Sequence, residues 1–215
     1  SQYDCNIITV FDDAYFGLFY DEENGYKQSL FSEIACCSER ILAIKGDAST
    51  KEEYVWGFRV GFITYATKAP NQSKLYEALE NKTYGVIRGT VSSPPRPLQT
   101  IVLKSILSKE YEEEKSKKAQ ILKNRHLKVK NIVYNNKYSD EWNVYPFNSG
   151  YFMCLKLKNV EAEKLRIHLL DNYKLGIIAT NKTDIRIAFS CLDIEDIPEV
   201  FDMIYSGIKD LRKDN

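Results

Sequence analysis

Apolar residues recur along this chain in two rhythms: short β-branched runs, and longer stretches with helical spacing. Residues 6–11, N-I-I-T-V-F, read as a buried strand that ends on Asp12-Asp13-Ala14-Tyr15. Residues 21–25, D-E-E-N-G, mark a loop, and residues 28–39 put Leu30, Phe31, Ile34 and Ala35 on one side of a helix. A second strand is predicted at 41–45 and a third apolar run at Val60–Tyr65, with Lys51–Gly61 between them. Strand, helix, strand, loop, strand is an α/β order.

Residues 71–83 predict a further helix, with Asn71 or Ser73 available as its cap. Prolines at 94, 95 and 97 then interrupt regular structure, which marks a boundary. A long helical region follows from about 98 to 133, with Ile121, Leu122, Val129 and Val133 turned inward. Its acidic run, Glu110–Glu114, sits beside a basic run from Lys115 to Lys130, which reads as a solvated face rather than a nucleic-acid patch. Beyond it come strands at Tyr151–Leu157, Leu175–Ala179 and Ile185–Ser190, and helices at 160–173 and Asp193–Leu211. The expected organisation is residues 1–97 as part of a large α/β domain, 98–135 as a linking helical region, and 136–215 as a small α+β domain.

Composition narrows the classes. The chain has 215 residues, 44% hydrophobic and 13% aromatic, enough for a packed core. Lys plus Arg and Asp plus Glu are 30 each, so there is no electrostatic footprint for nucleic acid or an anionic membrane. No apolar run approaches a membrane helix, and no signal-peptide pattern opens the chain. Five cysteines, with no C-x-x-C among them, read as buried thiols of a reducing compartment, here the cytoplasm. The sequons at Asn71, Asn81 and Asn181 are then coincidental. Two histidines supply neither a metal centre nor a serine–histidine triad, and no metal is expected. The chain opens on Ser1, with Met only at 153 and 203, and reads as a piece of a longer protein.

Two stretches carry candidate chemistry. In K-E-E-Y-V-W-G-F-R-V-G, Lys51 follows Ser49 and Thr50 and precedes Tyr54, Val55 and Trp56. A lysine held among such residues is partly desolvated, which favours the neutral amine that attacks a carbonyl. Arg59, between Gly57 and Gly61, suits a two-pronged grip on a phosphate, although alone it reads as a surface ion pair. Asp12 ends a strand, where open α/β sheets present ligand groups, or else shapes a turn. Tyr15 either directs its hydroxyl at the same ligand or is a core aromatic. Together they meet the demands of pyridoxal phosphate: an amine for the aldehyde, a clamp for the phosphate, a carboxylate for the ring nitrogen and a donor for the ring hydroxyl.

These stretches resemble the class I/II aminotransferases, the aspartate aminotransferase superfamily of fold-type I. V-F-D-D-A-Y-F-G-L is similar to that family's D-x-A-Y segment, and Lys51 with Arg59 matches its cofactor lysine and phosphate arginine in order and spacing. Ile87-Arg88 through Ser92-Ser93-Pro94-Pro95 resembles I-R-x-x-x-S-N-P-P, whose Arg reaches across a dimer to the side chain of dicarboxylic substrates. Arg88 is thus either a substrate residue or a structural arginine at a helix end. Asp184-Ile185-Arg186-Ile187-Ala188 resembles the segment whose Arg grips the substrate carboxylate.

The resemblance implies a mostly parallel mixed sheet with helices, a linking helix and a small C-terminal domain. It also implies a homodimer that moves an amino group between an amino acid and a 2-oxo acid through a lysine aldimine. It corresponds to the latter half of such an enzyme, so the chain by itself is expected to be inactive. One departure is Ala48, where the family often has Ser, so that a phosphate contact is either missing or moved to Ser49. A lyase or synthase on the same scaffold, or the effector domain of a transcription regulator, would share these motifs.

Overall fold

A computed structural model describes residues 4–21, 23, 25–26 and 28–213. The predicted loop at 21–25 lies partly outside the described residues. The chain forms two compact units, Ser1–Lys115 and Ser116–Asn215.

The first unit is built on three strands, β1 (Ile7–Asp12), β2 (Ile41–Ala48) and β3 (Gly61–Thr67), in the order β1-β2-β3. β1 runs parallel to β2, from Ile7↔Ile41 to Asp12↔Gly46, and β3 runs antiparallel to β2, from Ala48↔Gly61 to Leu42↔Thr67. Helix α1 (Leu30–Ile34) is shorter than its apolar spacing suggests. The Ser29 hydroxyl caps it by accepting from Phe31 N–H at 3.1 Å. α1 turns Phe31 onto Phe11 edge-to-face, with centroids 6.1 Å apart. The expectation that β1 is buried fails on its other face, where Ile8 and Val10 are 65% and 72% exposed. Among the described residues β1 pairs with β2 and no other strand, and α1 packs on the side that carries Phe11.

After β2 comes a single turn, α2 (Ser49–Glu52), which carries Lys51. α3 (Gln72–Thr90) runs well past the predicted end. Asn71 precedes it in left-handed backbone (φ 60°) and makes no side-chain cap, so the expected cap is absent. Residues 98–135 hold most of one helix, α4 (Arg96–Ile106), and all of a second, α5 (Tyr111–Val133). Pro95 and Pro97 are compatible with α4 because they occupy its cap and first turn, where no N–H is required.

The second unit contains an antiparallel sheet of β4 (Trp142–Val144), β5 (Met153–Leu157), β6 (Ile178–Ala179) and β7 (Asp184–Ile187), in the order β4-β5-β7-β6. Helices α6 (Ala162–His168) and α7 (Ile197–Lys213) accompany it, and α6 continues into a π-helical turn at Leu169–Tyr173. Leu155, Leu165, Ile185, Phe189, Phe201, Ile204 and Ile208 are all 0% exposed and form the core. At Gly207 the helix comes so close to Leu169 that a Cβ would lie 2.8 Å from its Cδ2. α5 buries Leu122, His126, Val129 and Val133, whereas Ile121, expected inside, is 47% exposed. Buried thiols were also expected, but Cys5, Cys36, Cys37 and Cys191 are exposed.

Candidate functional site

The carboxyl end of β1 and the turn after β2 lie side by side because the two strands are parallel neighbours. Asp13 N–H donates to the Gly46 carbonyl at 2.9 Å, which carries the pairing one residue past the strand. Asp12 and Asp13 then part in role. Asp13 accepts from the Ser29 hydroxyl and so belongs to the cap of α1. Asp12 stays exposed at the strand end and accepts from Ala14 N–H at 3.3 Å, which turns the chain toward Tyr15. The corner closes at Gly17, whose φ of 87° favours glycine.

β2 delivers Ser49 and Lys51 to the same end. Ser49 is 3% exposed, its N–H donates to the Val60 carbonyl at 3.1 Å, and its hydroxyl has no hydrogen-bond partner among the described residues. Lys51 Nζ lies 5.5 Å from the centre of the Tyr15 ring. Residues 36 positions apart, drawn from two separate motifs, thus come together. The aromatic shield expected from Trp56 is absent, since that ring is 77% exposed, and Tyr15 takes its place beside the amine. The rival Lys45 is engaged elsewhere: its Nζ pairs with Asp47 at 2.7 Å and stands 5.6 Å from the Phe31 ring.

Arg59 is exposed, and its own backbone is left-handed (φ 56°). This alters the expected part of the flanking glycines. Gly57 has open space where a Cβ would go, while at Gly61 a Cβ would approach the Asp47 carbonyl to 3.2 Å. The strain sits on the arginine, and strained non-glycine backbone of this kind concentrates at ligand sites. Tyr54, just past the Lys51 turn, is also left-handed (φ 57°).

A cluster that the sequence reasoning passed over surrounds this turn. Tyr111 donates its hydroxyl to Glu53 Oε2 at 2.6 Å, and Lys115 Nζ reaches Glu53 Oε1 at 3.0 Å, the Tyr111 hydroxyl at 3.0 Å and Glu52 Oε1 at 3.4 Å. Burial works against the charge on Lys115, but its bonds to Tyr111 and Glu53 and both carboxylate charges outweigh that and push its pKa up. Burial and the bond to Glu53 raise the Tyr111 hydroxyl likewise. The available signal was the pairing of adjacent Glu52 and Glu53 with Tyr111 and Lys115 at helical i, i+4 spacing.

Arg88 lies exposed in the last turn of α3 and donates to the Ser92 hydroxyl at 3.0 Å. In the second unit Arg186 sits in β7, with its guanidinium 4.7 Å from the Phe152 ring centre. Its Nε is buried and has no hydrogen-bond partner among the described residues. Two of the residues that the resemblance assigns to ligands, Ser49 and Arg186, therefore carry buried polar atoms that the described protein leaves unsatisfied. Such atoms are uncommon in folded proteins. The amine, hydroxyl and guanidinium of the first unit, with the carboxylate of Asp12 and the phenol of Tyr15, fit the donor set of a phosphorylated pyridine aldehyde. Among the described residues no group of acidic, His and Cys side chains could hold a metal ion. No described helix is long and apolar enough to cross a membrane.

Comparison with known proteins bears on the fold and the family. No curated protein matches the chain. Among solved structures, it matches the α-aminoadipate aminotransferase LysN of Thermus thermophilus, complexed with N-(5'-phosphopyridoxyl)-L-leucine. That match has TM-score 0.71 and 18% identity, over 96% of this chain and 51% of the other. It also matches an aminotransferase of Anaerococcus prevotii with TM-score 0.75 and 18% identity, over 94% and 47% of the two chains. A third match is MJ0684 of Methanococcus jannaschii, with TM-score 0.68 and 21% identity over 93% and 49%. The chain spans about half the length of each of these. The family model for aminotransferase class I and II matches residues 2–204. That match covers nearly the whole chain, which therefore belongs to the class I and II aminotransferases, a family that implies pyridoxal phosphate as cofactor.

Proposed function

We infer that the chain is the part of a pyridoxal-phosphate-dependent aminotransferase that supplies the reacting lysine, acting on an amino acid and a 2-oxo acid. The observation that carries this reading is the approach of Lys51 Nζ to the Tyr15 ring, 5.5 Å from its centre, with the buried Ser49 hydroxyl on the same turn as the lysine. When bound, the cofactor supplies an electron sink for the bond broken at the substrate's α-carbon. Lys51 Nζ takes and returns the proton at that carbon as general base and acid. Its place beside the Tyr15 ring suits the task, whereas Lys45 is paired with Asp47.

Asp12 presents a carboxylate to the ring nitrogen and Tyr15 its hydroxyl to the ring oxygen. Arg59 and Ser49 hold the phosphate, and Arg186 forks onto the substrate carboxylate. Arg88 is the candidate for the side chain of an acidic substrate, against its present bond to Ser92. The working enzyme is a homodimer of the cytoplasm, with no nucleic-acid or membrane partner. Because the chain spans about half of each matched structure, it turns over no substrate alone; turnover by the isolated chain overturns that statement.

Incubation with pyridoxal phosphate, borohydride reduction and peptide mapping tests the assignment. The label is expected on Lys51, and Lys51→Arg should abolish it while Lys45→Arg leaves it intact. A label on Lys45 defeats the reading.

A further inference from the structure

The turn that carries Lys51 is a poor structure by itself. α2 has four residues, Ser49–Glu52, and a single helical turn is unstable in isolation. It ends on Glu53, and Tyr54 then follows in left-handed backbone (φ 57°), which a β-carbon disfavours. Its amino-terminal cap position is Ala48, which makes no side-chain cap. Something outside the turn must hold it.

The cluster of Glu52, Glu53, Tyr111 and Lys115 meets that need. Glu53 is the residue at which the turn stops, and its two carboxylate oxygens take different donors: Tyr111 at 2.6 Å and Lys115 at 3.0 Å. Both donors come from the first turns of α5, whose helical spacing fixes them as a pair. Lys115 also contacts Glu52 at 3.4 Å, so one ammonium offsets the repulsion between adjacent carboxylates. Glu52 Oε1 in turn faces the corner after Tyr15: a Cβ built on Gly17 would stand 3.2 Å from it. Lys115 and Glu53 are largely withdrawn from water, at 27% and 15% exposure, so their contact is not a loose surface pair, whereas Glu52 is 39% exposed. The cluster therefore touches the turn that holds the amine and the loop that holds the ring facing it.

We propose that Glu53, Lys115 and Tyr111, together with Glu52, are positioning residues that clamp the Ser49–Tyr54 turn and so keep Lys51 Nζ over the Tyr15 ring. The proposal rests on the reading of Lys51 as the reacting lysine, but its test needs no cofactor. Amide hydrogen exchange of the 215-residue chain is compared across residues 49–54, 41–48 and 61–67 for the parent, Lys115→Met, Tyr111→Phe and Lys115→Arg. Loss of the charged bonds in Lys115→Met should speed exchange at 49–54 by about tenfold or more, with β2 and β3 unchanged. The same variant should change the ratio of Lys51 to Lys45 acetylation under a brief pulse of acetic anhydride, and Lys115→Arg should restore both readouts. Unchanged exchange at 49–54 overturns the proposal, and so does a rise shared equally by β2 and β3. If Lys115→Met does not fold, Tyr111→Phe, which removes one hydroxyl only, decides by the same criterion. A borohydride label found away from Lys51 would defeat the functional reading while the exchange result stood, so the two failures are distinct.

Discussion

Glu141→Gln tests how the second unit is held together. Glu141 precedes β4 with its side chain 1% exposed, and Lys209 Nζ stands 2.6 Å from Oε1. Arg212 Nη1 forks onto both oxygens at 2.9 and 3.1 Å. Burial alone favours the neutral acid, but the bonds and charges of these two cations hold its carboxyl below the usual carboxylate range. Removing one member of a fully buried pair costs about 3–5 kcal/mol. Here the cations are 40% and 43% exposed, so water takes them up once the carboxylate is gone. The amide also keeps the volume and one acceptor, and the expected cost falls to about 2 kcal/mol.

At a typical urea slope this lowers the midpoint by about 1 M. The assay is urea unfolding at pH 7 followed by Trp142 fluorescence. That ring is 3% exposed and stacks on Tyr138 at 4.8 Å. A Trp56→Phe background removes the other, exposed indole. The sign with pH follows from the lowered folded-state pKa. The contribution of Glu141 is full above the unfolded carboxyl's value of about 4.3 and is lost as pH falls through the lower folded value. The gap between parent and variant should therefore close on acidification. Equal midpoints at pH 7, or a gap that widens toward acid, refute the reasoning.

Arg59→Gly should keep or raise the urea midpoint, because it relieves left-handed strain of about 1–2 kcal/mol, while the borohydride-fixed label on Lys51 falls. A clear drop in midpoint would show that the arginine is not strained. Gly17→Ala forces a Cβ into positive-φ backbone and toward Glu52, so a loss of about 1–2 kcal/mol is expected, with faster amide exchange at 49–54. A neutral result contradicts the coupling of that corner to the Lys51 turn. Phe201→Ala empties a 0% exposed site beside Trp142 and should cost about 3–5 kcal/mol in the same unfolding assay; a cost below about 1 kcal/mol would mean that the site collapses.

The order of elements in the first unit was legible because β-branched runs and helical spacing are local signals. Burial was less so. Ile8 and Val10 have the composition of core residues, yet whether a strand face is covered depends on what packs there, and α1 packs on the Phe11 side. α5 shows the same limit: Ile121 and Leu122 are equally apolar, but the packed stripe runs through Leu122, His126, Val129 and Val133, so a histidine is inside and an isoleucine outside. β4 went unseen because W-N-V is too short to show a period. It is a strand by virtue of pairing, Trp142↔Leu157 to Val144↔Leu155.

The candidate site divides along the same line. The Lys51–Arg59 spacing and the Asp12–Tyr15 segment are short motifs whose residue types state their chemistry, and parallel pairing of β1 with β2 brings the two ends together. The pair D-D does not itself say which aspartate a neighbour engages. Ser29, 16 positions on, engages Asp13. The charge run after residue 110 reads as solvated because its composition is mixed, yet Lys115 leaves that face for Glu53, 62 positions earlier in the chain. A contact of that range is chosen by the fold and not by spacing. Residues that offer chemistry thus announce themselves locally, whereas those that aim them are distant, ordinary in type and identifiable only once the chain has closed on itself.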